Sequence, residues 1–159
     1  VIGLKSDSLW TKMLAVYPFV GGTATTCKYN LKNPLDTNGA FRLNFVGGWT
    51  FSSNGVTPNG TTAYADTFLI PLTHFISSRI NSANNITAQN GATNSQVGSE
   101  IAFSTYPIYI SAKNNIGVAA TFSTRNLAFA HIGTGLTQAE CTLFYNRIQT
   151  FQTTLGRQV

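Results

Sequence analysis

The C-terminal stretch from Leu127 to Gly156 constrains the fold more than any other part of the chain. It has the pattern of a strand, a glycine turn and an amphipathic helix. Thr137 and Glu140 have the T-x-x-E spacing of a capping box, in which the hydroxyl and the carboxylate each accept a backbone N–H bond at the helix start. Gly156 stands where a left-handed C-terminal cap is expected. The sequence therefore predicts a closing helix with defined ends.

The apolar residues of this helix predict which face it buries. Leu136 lies just before the cap, where a hydrophobic staple onto Cys141 is expected. Five side chains recur at three- and four-residue steps and predict one apolar stripe: Leu143, Phe144, Ile148, Phe151 and Leu155. The segment is typical of a structural element and holds no catalytic motif.

A second helix is predicted near the start of the chain, over residues 6–17. Ser6, Asp7 or Ser8 supplies its N-cap, and Pro18 ends it. Its buried face consists of Leu9, Trp10, Met13, Leu14 and Tyr17.

From Ala40 onwards apolar and polar residues alternate, which is typical of strands with one buried face. The clearest examples are Phe41 to Phe45 and, after a glycine pair, Trp49 to Phe51, and Asn54-Gly55 is a strong hairpin signal. Further strands are predicted at residues 63–65, 68–70, 100–111, 116–121 and 127–132. Short strands joined by Gly, Asn and Pro turns predict a mainly β protein, a two-layer antiparallel β-sandwich with an N-terminal helix and a C-terminal capping helix.

Residues 77–100 differ from the rest of the chain, because they contain few large apolar groups and many Asn and Ser. A long exposed loop is predicted there. The length of the chain supports a single domain over residues 1–159. Since the sequence starts at Val1 without a methionine or signal peptide, we expect it to be a processed or excised portion of a longer chain.

The composition argues against several function classes. Only 9% of residues are charged, and the basic residues behind the net charge of +5 are scattered singly from Lys5 to Arg157. No basic stripe follows a phosphate backbone, and no aromatic platform accompanies one, so no nucleic-acid partner is predicted. No apolar run approaches the roughly 18 residues of a membrane span. A polar surface with so little charge suits contacts in large assemblies, and equally an ordinary secreted β-rich domain.

Few residues are available for catalysis. The five carboxylates are Asp7, Asp36, Asp66, Glu100 and Glu140. Asp7 and Glu140 are expected at helix caps, and the E-x-D-x-x-E spacing of sandwich-fold glucanases is absent. Asp66 and Glu100 could still meet in space. No G-x-S-x-G motif occurs. The sequence predicts that the protein is not an enzyme.

No metal or other cofactor is predicted either. His74 and His131 are the only histidines, and a hydrogen-bonded structural role is expected for His131. Cys27 and Cys141 are far apart; a bridge between them is open, but two buried reduced thiols are favoured for a domain of this size. The glycosylation pattern at Asn59 and Asn85 is short enough to arise by chance in an Asn/Thr-rich chain.

Aromatic side chains are the remaining candidates for ligand binding. Trp49, Tyr64, Tyr106 and Tyr109 have faces that can stack on sugar rings. Trp49 and Tyr64 continue a strand alternation, which favours core positions. Tyr106 and Tyr109 flank Pro107 and are weak ligand-binding candidates, for which core packing is an equal alternative.

Two stretches, Ser8 to Asp66 (containing LWTKMLAVYPFVGGTATTCKYN) and Phe122 to Val159 (containing NLAFAHIGTGLTQAECTLFYNRIQTF), resemble a known family. It is the concanavalin A-like (laminin-G-like) jelly-roll domain of structural proteins of tailed bacteriophages. The resemblance implies a non-enzymatic protein of the virion surface, in a fibre, a tail or a capsid decoration, whose partners are copies of itself and other virion proteins. It implies as well that residues 1–159 are the C-terminal part of a longer chain. It also implies an alternative, a carbohydrate-binding module that attaches to glycans of the host surface.

The chain departs from this family in one respect. Members carry several more strands between the Asn/Gly turns and the closing helix, where this chain has residues 77–100 and the strands near 101–121. The chain is either a naturally abbreviated member or lacks internal segments. A lectin-like concave face is built partly from those strands, and the matching motifs are scaffold residues, so the resemblance assigns no ligand residue.

Overall fold

The structure, a computed structural model, describes residues 1–70, 79–81, 84–89, 92–97 and 105–157. Over these residues the protein consists mostly of small antiparallel sheets with a long helix near its C-terminus. This agrees with the predicted mainly β class and with the closing helix.

Three α-helices occur among the described residues: α1 (Ile2–Ser6), α2 (Ala24–Cys27) and α3 (Gln138–Thr154). Short 3-10 segments cover Trp10–Lys12 and Asn38–Ala40. The strands are β1 (Met13–Tyr17), β2 (Asn44–Val46), β3 (Trp49–Ser52), β4 (Gly55–Pro58), β5 (Tyr64–Asp66), β6 (Arg79–Asn81), β7 (Asn84–Gln89), β8 (Ala92–Val97), β9 (Tyr109–Ile110), β10 (Lys113–Asn115), β11 (Val118–Ala120) and β12 (Ala130–Gly133).

The strands in the described part of the chain form five small sheets. Two are three-stranded, in the orders β2-β5-β9 and β6-β7-β8, and the others pair β1 with β12, β3 with β4, and β10 with β11. The chain divides into two compact units. The first contains Val1–Leu14, Thr73–Phe103 and Ile132–Val159, and the second contains Ala15–Leu72 and Ser104–His131. Each unit is described by itself.

In the first unit, α3 begins and ends where the sequence predicts. Thr137 Oγ1 accepts a bond from the N–H of Glu140 at 3.3 Å, and Glu140 Oε2 accepts one from the N–H of Thr137 at 2.8 Å. This confirms the capping box. Gly156 has φ of +66°, the predicted left-handed conformation after the helix end.

The predicted apolar stripe of α3 is wrong at two of its five positions. Leu143 and Leu155 are exposed, whereas Cys141, Phe144 and Gln152 are buried. Positions 141, 144, 148 and 152 follow the helical period, so they share one face, and Leu143 falls outside it. Leu155 keeps the period of that face but lies one residue past Thr154, the last residue of α3. A polar residue, Gln152, therefore takes a buried position; its Oε1 accepts a bond from Arg157 Nε at 2.9 Å.

The predicted helix over residues 6–17 is also wrong. The short helix α1 ends at Ser6, a 3-10 turn covers Trp10–Lys12, and Met13–Tyr17 forms β1. A run of consecutive apolar residues such as MLAVY fits a buried strand as well as a helix. Pairing of β1 with β12 decides between them, and this is a tertiary effect that the local pattern does not contain.

Two ion pairs connect the N-terminal segment to α3. Asp7, which was expected to begin a helix, instead follows α1 and accepts two bonds from Arg147, at 2.7 and 2.8 Å. Lys12 Nζ lies 2.7 Å from the carboxylate of Glu140. Glu140 therefore serves both as part of the cap and as the partner of Lys12. The bond from Lys12, followed by the backbone bond from Thr137, lowers the pKa of Glu140 below its ordinary value.

This arrangement predicts a loss of stability in acid. A carboxyl whose pKa is lower in the folded state stabilises that state above its unfolded pKa, about 4.3 for Glu, and loses its contribution as the pH falls through the folded pKa. We expect Glu140→Gln to lower the free energy of unfolding by about 1 kcal/mol near neutral pH, through loss of the ion pair and part of the cap. Urea unfolding at neutral and acid pH measures both effects. A variant that keeps the full acid sensitivity of the wild type would contradict the assignment.

In the second unit, the buried side-chain amide of Asn30 bonds to three backbone groups. Asn30 is fully buried, and its Oδ1 accepts bonds from the N–H of Val16 at 2.9 Å and of Lys32 at 3.0 Å. Its Nδ2 donates to the carbonyl of Ala40 at 3.1 Å. One side chain therefore satisfies backbone groups of β1, of its own turn and of the 3-10 segment. Apolar side chains buried in this unit include Val16, Tyr17, Phe19, Leu43, Val56 and Leu69.

The hairpin predicted at Asn54-Gly55 is confirmed, with its turn one residue earlier. Ser52 pairs with Gly55, so Ser53 and Asn54 form the turn between β3 and β4. Gly55 has φ of +121°, which L side chains rarely adopt. The next residue, Val56, exchanges two backbone bonds with Leu127, at 2.9 and 2.8 Å.

Other predicted strands are shorter than expected or absent. The strand predicted at Phe41–Phe45 starts only at Asn44, because a 3-10 segment precedes it and Phe41 has φ of +58°. Residues 68–70 form no strand. Of the predicted strand 100–111, Tyr109–Ile110 is a strand, whereas Glu100, Ile101 and Phe103 lie outside the described residues.

The segment 77–100 was predicted to be a loop, and its described part forms strands. The backbones of β6, β7 and β8 pair in an antiparallel three-stranded sheet. The scarcity of large apolar residues in this stretch conceals the strands from a sequence-based reading. The predicted exposure of these side chains lies outside what the structure describes.

Candidate functional site

Tyr106 and Tyr109, the two weak candidates from the sequence, approach the same glycine. A Cβ atom added at Gly117 would lie 3.3 Å from Cε1 of Tyr106. The hydroxyl of Tyr109 donates to the carbonyl of Gly117 at 3.4 Å. Both rings therefore lie beside the turn of the hairpin formed by β10 and β11.

Tyr64 extends this group of rings. Its centroid lies 4.5 Å from that of Tyr109. The sequence assigned Tyr64 to the core, but it is only half-buried, because the inward residue of β5 is Ala65. Asp66 pairs with Tyr109 in the β5–β9 register. Burial and then the Asp66 carboxylate raise the pKa of Tyr109, so its hydroxyl stays protonated at neutral pH.

Trp49, the other aromatic residue assigned to the core, is also half-buried. It belongs to a separate aromatic cluster, in which its ring meets Phe45 edge to face at 5.1 Å and its indole N–H donates to the carbonyl of Val46 at 3.0 Å. These ring contacts place Trp49 and Tyr109 in two separate aromatic clusters.

The turn of the β10–β11 hairpin has an unusual residue at its tip. Asn115 pairs with Val118, so Ile116 and Gly117 are the central turn residues, and their φ values are +54° and +88°. Positive φ at both positions is the requirement of a type I′ turn, in which Asn-Gly is the preferred pair. A β-branched residue in this region of φ is a genuine outlier.

Asn114 holds the hairpin against the tyrosine segment. Its Oδ1 accepts a bond from the N–H of Gly117 at 2.7 Å, and its Nδ2 donates to the carbonyl of Pro107 at 2.8 Å. Sequence reasoning missed this residue. The signal that could have found it is the Asn-Asn-Ile-Gly run, in which an asparagine precedes a turn glycine by three residues.

The tip carries exposed apolar side chains. Ile116 is 74% exposed and Val118 67% exposed, more than any other described large apolar residue except Ile2. Lys113 at the start of β10 is exposed as well. We define the tyrosine–hairpin surface as Tyr64, Tyr106, Tyr109, Ile116 and Val118.

The strain at Ile116 predicts a stabilising substitution. Asn tolerates positive φ better than Ile and creates the preferred Asn-Gly turn, so Ile116→Asn is expected to raise the free energy of unfolding by about 1 kcal/mol. Urea unfolding measures the change. Ile116→Thr keeps the β-branch and is the matched control, for which no gain is expected. A destabilised Asn variant would contradict the turn assignment.

The described carboxylates are all engaged in structural bonds. Asp7 and Glu140 form the ion pairs given above, and Asp36 lies 2.6 Å from Lys28 and 3.4 Å from Arg42. Asp66 Oδ1 accepts the N–H of Phe68 at 2.8 Å. Glu100, its suggested partner, lies outside the described residues. Within those ranges no group of three or more His, Cys, Asp or Glu is placed to hold a metal ion.

The remaining candidates from the sequence are the histidines, the cysteines and the glycosylation-pattern asparagines. His131 is exposed on β12, 6.3 Å from the ring of Phe129, and His74 lies outside the described residues. Cys27 and Cys141 are buried and are not joined by a disulfide. The Asn59 side chain accepts bonds from three successive backbone N–H groups, those of residues 61–63, so it serves its turn rather than presenting a free amide.

No protein-family model matches this chain, and no curated protein or solved structure is significantly similar to it. None of the described helices is long and apolar enough to cross a membrane. Function is therefore inferred from the residues and their geometry.

Proposed function

We propose that this chain is a non-enzymatic structural protein of a bacteriophage virion, a surface-projecting module of a fibre, a tail or a capsid decoration that assembles with copies of itself or with virion neighbours. The observation that carries the proposal is a set of large exposed aliphatic side chains in a chain with only 9% charged residues. Leu35 is 59% exposed, Ile70 49% and Leu31 41%. Exposed apolar groups that lie close together are typical of contact surfaces, and Leu31 and Leu35 are four positions apart in one turn-rich segment.

The engagement of the carboxylates supports the absence of catalysis in this proposal. General acid–base chemistry needs a carboxyl that faces a substrate, whereas Asp7, Asp36 and Glu140 are held by Arg and Lys side chains. The two-layer jelly-roll sandwich of the concanavalin A type is part of the same proposal. The small antiparallel sheets and the capped C-terminal helix are consistent with it.

Light scattering at micromolar concentration tests the assembly. A defined multimer is expected, and Leu35→Ser should shift it towards monomer, since removing an exposed leucine from a contact costs apolar burial. Ser53→Ala, an exposed turn substitution of small volume, is the control. A protein that stays monomeric, and that is missing from the density of the whole particle, would refute the proposal.

A second function, a carbohydrate-binding module for host attachment, is favoured by the convergence of Tyr106 and Tyr109 at Gly117. Tyrosine rings offer an apolar face to a pyranose and a hydroxyl at the rim. Reproducible binding to a bacterial polysaccharide on a glycan array, lost in Tyr106→Ala and retained in Tyr106→Phe, would establish it. Absence of any glycan signal would leave the structural role alone.

A further inference from the structure

The β10–β11 hairpin is a strained element with an apolar end. Three non-glycine residues with positive φ lie within eleven positions of one another: Ser111 at +72°, Ile116 at +54° and Thr121 at +53°. The first and last bracket the hairpin, and the middle one forms its tip. Such conformations persist only when surrounding contacts enforce them, and they concentrate at functional sites. At the tip, the bonds of Asn114 to Gly117 and Pro107 supply such contacts.

The side chains at this end are arranged by polarity. Ile116 and Val118, the most exposed, flank Gly117 at the turn. Behind them lie the rings of Tyr106 and Tyr109, which contact Gly117 and are less exposed. Aliphatic groups at the end and tyrosines behind them match the order of a bilayer, whose hydrocarbon takes aliphatic groups and whose interface favours tyrosine.

A positive charge lies at the base of the hairpin, and a negative charge lies beyond Tyr109, further from the tip. Lys113, exposed in β10, is the charged residue within the hairpin, and its long aliphatic stem allows the ammonium to reach lipid phosphates while its carbons stay near apolar groups. Asp66 lies behind Tyr109, where its Oδ1 is bonded to the N–H of Phe68. The whole chain carries +5. These charges complement an anionic surface better than a second copy of the same chain.

We propose that the β10–β11 hairpin inserts its tip, Ile116 and Val118, into the interface of an anionic lipid bilayer, with Lys113 at the phosphates and the tyrosines at the headgroup level. A fluid bilayer adapts to the hairpin tip, so no complementary pocket is needed. Burial of two aliphatic side chains and attraction of one cation to the phosphates give weak, reversible attachment. Vesicle binding and particle assembly are separate properties, so either can fail without the other.

Flotation of the full chain with vesicles tests this proposal. Binding to phosphatidylcholine mixed with phosphatidylglycerol should exceed binding to phosphatidylcholine alone and should weaken with salt. Ile116→Asn should lower the apparent affinity about tenfold, since it removes the burial of one large aliphatic side chain. Urea unfolding of the same variant, in which a gain of stability is expected, distinguishes loss of binding from unfolding. Val118→Thr, which conserves shape and strand propensity, should also weaken binding.

Matched variants separate the contributions. Leu143→Gln removes an exposed leucine from α3 and should leave vesicle binding unchanged. Lys113→Gln should reduce binding to the mixed vesicles about fivefold and binding to phosphatidylcholine little, whereas Lys5→Gln should do neither. Wild-type binding by Ile116→Asn would overturn the proposal. So would absence of vesicle binding by the wild-type chain. Self-association that Ile116→Asn abolishes would in that case identify the tip as a protein interface.

Discussion

Replacing Asn30 by alanine is expected to lower the free energy of unfolding by about 3 kcal/mol. The substitution removes the acceptor of the Val16 and Lys32 N–H groups and the donor to the Ala40 carbonyl. Alanine offers no replacement, and the space that it leaves is deep in the second unit, because Asn30 is fully buried. Buried backbone groups without partners cost more than the bonds contributed, which is why this effect is large.

Urea unfolding of Asn30→Ala and Asn33→Ala provides the comparison. Asn33 lies in the same turn and is exposed, so its replacement is expected to change stability by less than about 0.5 kcal/mol. Equal effects of the two substitutions would show that the amide network does not stabilise the unit. Asn30→Asp is informative as well, because it keeps the acceptor but places a carboxylate oxygen against the carbonyl of Ala40.

Gly55→Ala is expected to destabilise the protein by about 3 kcal/mol or more. The backbone at φ of +121° disfavours any L side chain. An added Cβ would also collide with the carbonyl oxygen of Leu127 and lie 2.9 Å from its carbonyl carbon. Relief of the collision requires movement of the bridge between Val56 and Leu127, which carries two backbone bonds and a fully buried valine.

Gly39→Ala is the control for this substitution. Gly39 has no positive φ, and nothing lies within 4 Å of the position of its added Cβ. Its replacement should therefore be neutral or slightly stabilising, since alanine restricts the unfolded chain more than glycine does. Thermal unfolding of both variants measures the difference. A Gly55→Ala protein as stable as Gly39→Ala would mean that the Val56–Leu127 bridge is not formed as described.

The features predicted correctly from the sequence are those determined by neighbouring residues. Thr137 and Glu140 satisfy each other within a single turn, and Gly156 relaxes a helix end without help from elsewhere. The hairpin at Asn54-Gly55 follows in the same way from a local turn preference, although the central residues shift by one. Local chemistry of this kind is visible in the order of the residues.

The features predicted incorrectly depend on distant partners. Met13–Tyr17 is a strand because β12 pairs with it, and Asp7 finds Arg147 rather than a helix start. Leu143 looks like a core residue from its type alone, yet the face of α3 that is buried is centred elsewhere. At the candidate site, Tyr106 and Tyr109 were recognised by residue type. Ile116 was predicted to lie in a strand, because isoleucine prefers extended backbone, whereas it has a positive φ in the turn.

The pairing of the N-terminal segment with α3 has a consequence for biosynthesis. Asp7 is separated from Arg147 by 140 residues and Lys12 from Glu140 by 128. During translation the N-terminal segment leaves the ribosome long before these partners exist, so the first unit completes itself only after α3 has been made. The Asn30 network spans at most 14 residues and can form early. Vectorial synthesis therefore favours an order in which the second unit folds first. A chain that stops within α3 before Arg147 leaves Asp7 without its ion-pair partner.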